Sequence, residues 1–390
     1  MPKAVRFLIL LAAALLSTPG AQAHHAPGPI KIVAVLTLSG PWAYLGASEL
    51  KGLQLGVEQI NRRGGLLSHV VELAYEDDAG DPKTAAEIAR RLANPESVDI
   101  FIGGSRSQTS IAIAAVAERA RMPFIALGAS SRISAQRRWV FQTSPSEEPA
   151  VRRILADMKK RGIRRIALLS EDSEFGQTGR HEVQDATHPQ GIGIRTYGVQ
   201  LGFDSVYQPT EASIASRLGA MGAASGIDAI LVYGAGDGPV LVLQQLRRLG
   251  VKLPVYQSHG IAAHEFLRLA GGAAEGVRLV SPPVLVADSL PADDPRKALL
   301  AEFAAAFHAR FGEPPSSFAG YAYDAVTLGT DAIRRVSSAD FEAVRRAIEL
   351  TQGLVGITGT YRMWPDNHAG LDDKALLMLE VKDGAFRIAD

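Results

Sequence analysis

Residues 101–114, FIGGSRSQTSIAIA, place four hydroxyl side chains (Ser105, Ser107, Thr109 and Ser110) straight after a glycine pair and just before a run of helical period. A loop of this kind can cradle a phosphate, aim a nucleophilic serine or hold another anion. A phosphate-binding P-loop needs a Gly-Lys pair at the helix start, and the chain contains none. A nucleophile elbow needs Gly-x-Ser-x-Gly, whereas Gly103-Gly104-Ser105-Arg106-Ser107 lacks the last glycine. What remains is a strand that delivers the open N-terminus of a helix, with Ser107 and Thr109 near the cap. Free backbone N–H groups and the helix dipole favour an anion there, although plain capping explains the same residues without a ligand.

A second stretch repeats the pattern. MPFIALGASSRIS carries an apolar run into Gly128, Ala129, Ser130 and Ser131. Two neighbouring strand ends would then offer hydroxyl and backbone donors to one carboxylate, which accepts about four such bonds. A third loop, LSGPWAYLGAS, sets Trp42, Tyr44 and Leu45 just past the first strand, where aromatic residues can wall a ligand site. Other candidates fail on spacing. GAGDGP (234–239) has Pro239 where a dinucleotide loop needs its last glycine, and HEFLR (264–268) lacks the second histidine of a zinc protease. In EDDAGDP (76–82) the acids miss the calcium-loop spacing and Asp81 reads as a helix cap. WPDNHAGLDD (364–373) reads as a solvated turn.

The elements that would position these loops alternate along the chain. IKIVAVLTL is a strand; Leu50, Leu53, Val57 and Ile60 then recur at helical spacing until Gly64–Gly65. VVELAYED, VDIFIGG and MPFIAL follow as strands between helices, which is the order of a parallel, doubly wound α/β unit. A second unit starts after FQTSPSEE, with strands expected at RRIALLS, GIRTYGV, DAILVY and LPVYQS. Residues 294–350 read as helical, and GITGTYRM and KALLMLEVKDG as terminal strands. Ligands of such sheets bind beyond the carboxyl ends of the strands, so the facing loops of two lobes define a cleft.

The 390 residues suffice for two ordinary domains, and 47% apolar with 21% charged residues is a globular composition. A formal net charge of zero gives no electrostatic case for nucleic acid or an anionic membrane. Lys3 and Arg6, the apolar run Phe7 to Leu16 and the small residues of AQA at 21–23 read as an export signal cleaved after Ala23. There is no cysteine, hence neither a disulfide nor a lipidated cysteine anchor. The expectation is an exported, unanchored, periplasmic protein acting as a monomer.

These residues together resemble the leucine/isoleucine/valine-binding protein family, the type I periplasmic solute-binding proteins of ABC transporters. The likeness runs through IKIVAVLTLSGPWAYLGASELKGLQLGVEQINRRGGL, YEDDAGDPKTA, FIGGSRSQTS, MPFIALGASS, EDSEFGQTG and GTYRMWPDNHAGLDD. It implies two Rossmann-like lobes on a three-crossing hinge: 24–145 with 278–350, and 146–277 with 351–390. It also implies that Ser107, Ala129 and Ser130, beside Gly128, hold a ligand carboxylate. In the second lobe it assigns Phe175 of EDSEFG and Ala235 and Gly236 of YGAGD to the ligand. Amino-acid binders of the family hold the ammonium with a glutamate, and the matching position in YQSHGI is His259 unless Asp237 supplies the charge. A buried ammonium without an acid costs several kcal/mol. The expectation is therefore a small organic acid, aromatic acids included, delivered to a membrane permease without catalysis, cofactor or metal. The alternatives are a branched-chain amino acid or amide binder and a sensing subunit of the same fold.

Overall fold

In the computed structural model, residues 28–94, 96–188 and 197–389 are described, so the export signal expected at 1–23 lies outside the described residues. The first lobe runs β1 (Ile30–Leu36), α1 (Ala43–Arg62), β2 (Val71–Asp77), α2 (Pro82–Leu92), β3 (Ile100–Gly103), α3 (Ser107–Ala120), β4 (Phe124–Ala126) and β5 (Val140–Gln142). Its five strands form a parallel sheet in the order β2-β1-β3-β4-β5. Along β1, Ile30, Ile32, Ala34 and Leu36 enter one core and Val33 and Val35 the other. A strand buried on both faces needs this unbroken apolar run. Asp81 caps α2 as expected, accepting from the Thr84 N–H at 2.8 Å.

The second lobe runs α4 (Glu147–Lys160), β6 (Arg165–Glu171), α5 (Glu174–Thr187), β7 (Gln200–Tyr207), α6 (Glu211–Gly222), β8 (Ala229–Tyr233), α7 (Asp237–Arg248), β9 (Val255–Gln257), α8 (His264–Ala270) and β10 (Arg278–Ser281). The strand expected at GIRTYGV falls mostly outside the described residues; the edge strand of this sheet is β7. Then come α9 (Lys297–Phe311), α10 (Ser317–Val336), α11 (Phe341–Glu349), the hairpin β11 (Gln352–Val355) and β12 (Thr360–Arg362), and β13 (Leu377–Lys382) and β14 (Ala385–Ile388). The second sheet has seven strands in the order β14-β13-β10-β9-β8-β6-β7, parallel except for the antiparallel pairings of β13 with β10 and β14.

The fold is thus α/β with two mostly parallel sheets in two lobes, and the chain passes between them three times. The sequence-based boundaries fall early at two of these crossings. β10, expected in the first lobe, pairs with β9 and β13 in the second sheet. The hairpin, expected in the second lobe, places Tyr361 and Met363 in the core of the first. Hydrogen bonds explain that placement: the Tyr361 hydroxyl donates to the Thr143 carbonyl at 2.9 Å, and Asp324 of α10 accepts from the Ile357 and Thr358 N–H groups at 2.7 and 2.8 Å. The WPDNHAGLDD segment is a turn whose His368 stacks on Phe141 at 4.3 Å.

Candidate functional site

The strand-end loops of the two lobes face one another across a narrow cleft lined from both sides. On the first-lobe side, Gly103 (φ 146°) and Gly104 (φ 71°) turn the chain sharply into α3. A side chain on Gly104 would collide with Ser110. Ser110 instead stitches the two loops together, donating to the Gly104 carbonyl at 2.6 Å and accepting from the Gly128 N–H at 3.2 Å. The Gly128 carbonyl receives Ser144 at 2.6 Å and Gln142 at 3.1 Å. With those groups engaged, the Ser107 hydroxyl and the Ala129 N–H remain without a protein hydrogen-bond partner among the described residues, and both residues line the cavity. Ser107 sits at the first turn of α3, where unpaired N–H groups add donors.

Eight of the eleven residues expected from the sequence line this cavity: Trp42, Leu45, Ser107, Gly128, Ala129, Phe175, Ala235 and His259. Three do not. Ser130 is fully buried, its hydroxyl accepting from the Arg132 N–H at 3.2 Å and its carbonyl from Gln142, so it shapes its own loop. Tyr44 packs edge-on against Phe318 at 6.2 Å and lines a neighbouring groove. Gly236 lies beneath Trp42: a Cβ there would come within 2.3 Å of the indole, and its φ of +73° suits glycine alone. Trp42 therefore reaches across the cleft and touches the opposite lobe. Arg132 and Glu174 also bridge the lobes, at 3.0 Å on the rim.

The wall contributed by the second lobe is aromatic and acidic. Phe175 packs against Tyr233 at 5.0 Å and edge-on to His259 at 5.1 Å. His259 is 2% exposed, and neither ring nitrogen forms a hydrogen bond of ordinary geometry, although the Pro145 carbonyl faces the ring. Burial pushes its pKa down to about 4, so the ring is neutral near pH 7. Asp237, the other candidate for the charge, is exposed and does not line the cavity.

The acid in the cavity wall is instead Glu171, the last residue of β6 and 2% exposed. Burial raises its pKa to about 7, against the lowering effects of Ser173, the Ala235 N–H and Arg106. Arg106 faces the cavity from the first lobe, its guanidinium 4.3 Å from the Trp42 ring and donating to the Gly80 carbonyl at 3.0 Å. Sequence reasoning missed both charges, together with Ser144, Phe318 and Tyr321. Glu171 opens the quoted EDSEFG at a strand's carboxyl end, which was signal enough. Phe318 and Tyr321 come from α10, far along the chain, and carried no local sign.

A family model described as periplasmic binding protein matches residues 29–385. The chain is 26% identical over 382 residues to the leucine-, isoleucine-, valine-, threonine- and alanine-binding protein of Pseudomonas aeruginosa, covering 96% of this chain and 94% of that protein. It is 25% identical to the leucine-specific-binding protein of Salmonella typhimurium, covering 88% and 89%. An extracellular ligand-binding receptor from Rhodopseudomonas palustris HaA2 superposes with a TM-score of 0.82 at 27% identity, covering 93% of this chain and all of that one. The fold is shared too by a branched-chain amino acid transporter substrate-binding protein of Streptococcus pneumoniae solved with isoleucine, at a TM-score of 0.80, 22% identity and coverage of 93% and 99%. Two lobes, a cleft lined by strand-end loops and a match along nearly the whole chain agree: this chain belongs to the periplasmic binding proteins, among the leucine/isoleucine/valine-binding type.

Proposed function

We propose that this protein is the solute receptor of an ABC importer of the branched-chain amino acid type, capturing a small carboxylate with an apolar body by closing its two lobes. The observation that carries the reading is the pair of unengaged donors, the Ser107 hydroxyl and the Ala129 N–H, opening onto a closed cleft between Trp42 and Phe175. Donors fixed in place by the Ser110 and Ser144 network need no reorganisation to accept a carboxylate, which favours affinity. Trp42, Phe175 and Phe318 supply flat apolar walls that suit a branched or aromatic body. The solute touches both lobes and so favours the closed form over the open one. The closed form is then presented to a membrane permease, and the reading involves no bond-making step. Export to the periplasm is part of this reading and rests on the N-terminal signal sequence. Among the described residues, no helix is long and apolar enough to cross a membrane.

Calorimetry with leucine, phenylalanine, benzoate and phenylacetate, each beside its amide, tests the reading. Carboxylates should bind near micromolar, about 8 kcal/mol, and the amides far more weakly. Equal binding of acids and amides would refute it.

A further inference from the structure

The cleft is bordered by a second space, a groove of about 460 Å3 between α1 and α8, and the same three segments wall both. At the start of α1, Trp42 and Leu45 face the cleft while Tyr44 and Ala47 face the groove. At the start of α10, Phe318 faces the cleft and Ser316 the groove. In the second lobe, Gly260 faces the cleft and Ala263 the groove. Between the two spaces the Tyr44 ring is set edge-on against Phe318 at 6.2 Å. We propose that Tyr44 is a specificity-determining residue that sets how long a solute the cleft admits, by shutting the cleft off from a groove suited to an apolar tail. The inference rests on the carboxylate-receptor reading above and adds to it a limit on length, whatever polar group the solute carries beside its carboxylate.

Strand order gives the direction. The Ser107 and Ala129 loops follow β3 and β4, and β1, which leads into α1, lies on the other side of β3. A carboxylate held at those loops leaves the body of the solute to run past Trp42 and Leu45 to Phe318, with Tyr44 next behind. The far end of Tyr44 reaches the second lobe, where the Gly236 N–H faces its hydroxyl. Burial raises the pKa of that hydroxyl, and Glu171 of the cleft wall and Glu265 of the groove both raise it further, so it stands between the two spaces. The backbone beneath is sewn together: the Ser317 N–H donates to the Ala262 carbonyl at 3.2 Å, and Ala263 packs in the first-lobe core with Leu45 and Phe318. Side chains are therefore the part of the partition that substitution can remove. The groove makes no polar demand of what enters it. Lys51 pairs with Glu313 at 2.6 Å on one bank and Arg268 with Glu265 at 2.7 Å on the other, so each lobe neutralises its own charges. Ala47, Ala263 and Pro314 add apolar surface. An alkyl or aryl tail suits such a groove, at about fourfold in affinity per buried methylene.

The test measures calorimetric affinity for straight-chain acids from pentanoate to decanoate and for phenylacetate, 4-phenylbutanoate and 6-phenylhexanoate. It compares the wild-type protein with Tyr44→Ala, Tyr44→Leu and Tyr44→Phe. In the wild type, affinity should rise with length and then drop at least about tenfold past one length. Tyr44→Ala and Tyr44→Leu should move that limit outward, raising the ratio of long-acid to short-acid affinity at least about tenfold, the worth of two buried methylenes. Tyr44→Phe keeps the ring and should leave the limit where it is. Because the chain has no cysteine, Ala47→Cys puts a single thiol in the groove. Long acids should slow its labelling by a maleimide in the Tyr44→Ala background and not in the wild-type background. Three results overturn the proposal and leave the carboxylate reading standing: a wild type with no length limit, a limit unmoved by both smaller side chains, or a thiol shielded by long acids while Tyr44 is in place. If neither shortened variant folds, the wild-type length series and the labelling of Ala47→Cys decide. If no acid of either series binds, the carboxylate reading itself falls, and this inference with it.

Discussion

The two sets of strand-end loops solve different problems with the same α/β framework. In the first lobe the loops after β3 and β4 are tied to each other: Ser110 joins Gly104 to Gly128, and Ser144 and Gln142 hold the Gly128 carbonyl. Among the described residues, buried polar groups without hydrogen-bond partners remain on both sides of the cleft, the Tyr321 hydroxyl in the first lobe and the His259 nitrogens and the hydroxyls of Tyr207 and Tyr233 in the second, but only the first lobe ties its two loops together. A rigid, satisfied network sets donors in place before a solute arrives; a wall with unmet demands rewards only a solute that meets them. On the proposed reading, the first lobe would supply affinity for a carboxylate and the second would decide which carboxylate is kept.

If that division is right, the largest effect should come from separating the lobes chemically. Gly236→Val puts a branched side chain where Trp42 now lies and forces a positive φ on a residue that avoids it. The variant should bind any identified solute about 100-fold more weakly or worse. Small-angle scattering should show it remaining open with solute present. A closed, tight-binding Gly236→Val would mean that the walls do not need one another.

The next effect lies inside the first lobe. Ser107→Ala removes one unengaged donor without touching the Ser110 network, and the loss of a hydrogen bond to a charged group is worth about 1.5–3 kcal/mol. Affinity should fall roughly tenfold to 150-fold with little change in the melting temperature of the empty protein. Ser110→Ala should instead lower the melting temperature as well as affinity, because it cuts the link between two loops. If the two variants behave alike, the first lobe is not preorganised in the sense argued here.

Much of the first lobe was legible in the sequence for the same reason that it is rigid. Its loops are made of local signals (Gly103–Gly104 before a helix start, Gly128 before small residues), so both loops could be found from spacing, while the choice of Ser107 and Ala129 within them came from the family resemblance. Ser130 shared those signals, yet its neighbours consumed its hydrogen bonds, which no spacing reveals. The second lobe was read less well because its site depends on which residue of a strand end turns inward. His259 was placed in the cavity, but its burial and neutrality were not foreseen, and Glu171 was passed over for Phe175 four residues later. Contributions from α10 depend on tertiary packing across most of the chain. The same limit displaced the lobe boundaries, since β10 and the β11–β12 hairpin are assigned by their partners and not by their composition.

Each lobe also buries titratable groups, and two of them, Glu49 in the first lobe and His259 in the second, act in opposite pH ranges. Glu49, under Ser105 in the first lobe, has its pKa raised by burial to about 8. The folded protein therefore holds a proton that the unfolded chain releases above about pH 4.5, and stability is lost as pH rises from there through about 8. His259 is lowered from 6.5 to about 4, so the unfolded chain binds the extra proton and stability is lost as pH falls from 6.5 toward 4. At pH 5 the His259 contribution is on the order of 2 kcal/mol. Melting curves from pH 4.5 to 9 should show Glu49→Gln flattening the alkaline limb only, and His259→Phe the acid limb only. A single variant that flattens both limbs would show that the lobes do not titrate independently.

The smallest effect should come from the contact that looks most like a latch. Arg132 and Glu174 meet across the rim at 3.0 Å, but the arginine side chain is 66% exposed. An ion pair in that setting contributes about 0–1 kcal/mol and is screened by salt. Arg132→Ala should weaken binding less than about threefold, and the difference from wild type should vanish in high salt. The contact of the Trp42 indole with the Gly236 backbone crosses the cleft without an ion pair, so salt should leave it largely unchanged. A large, salt-dependent loss in Arg132→Ala would move control of closure from the cleft to its rim, and would make the charged edge the part of the second lobe that matters.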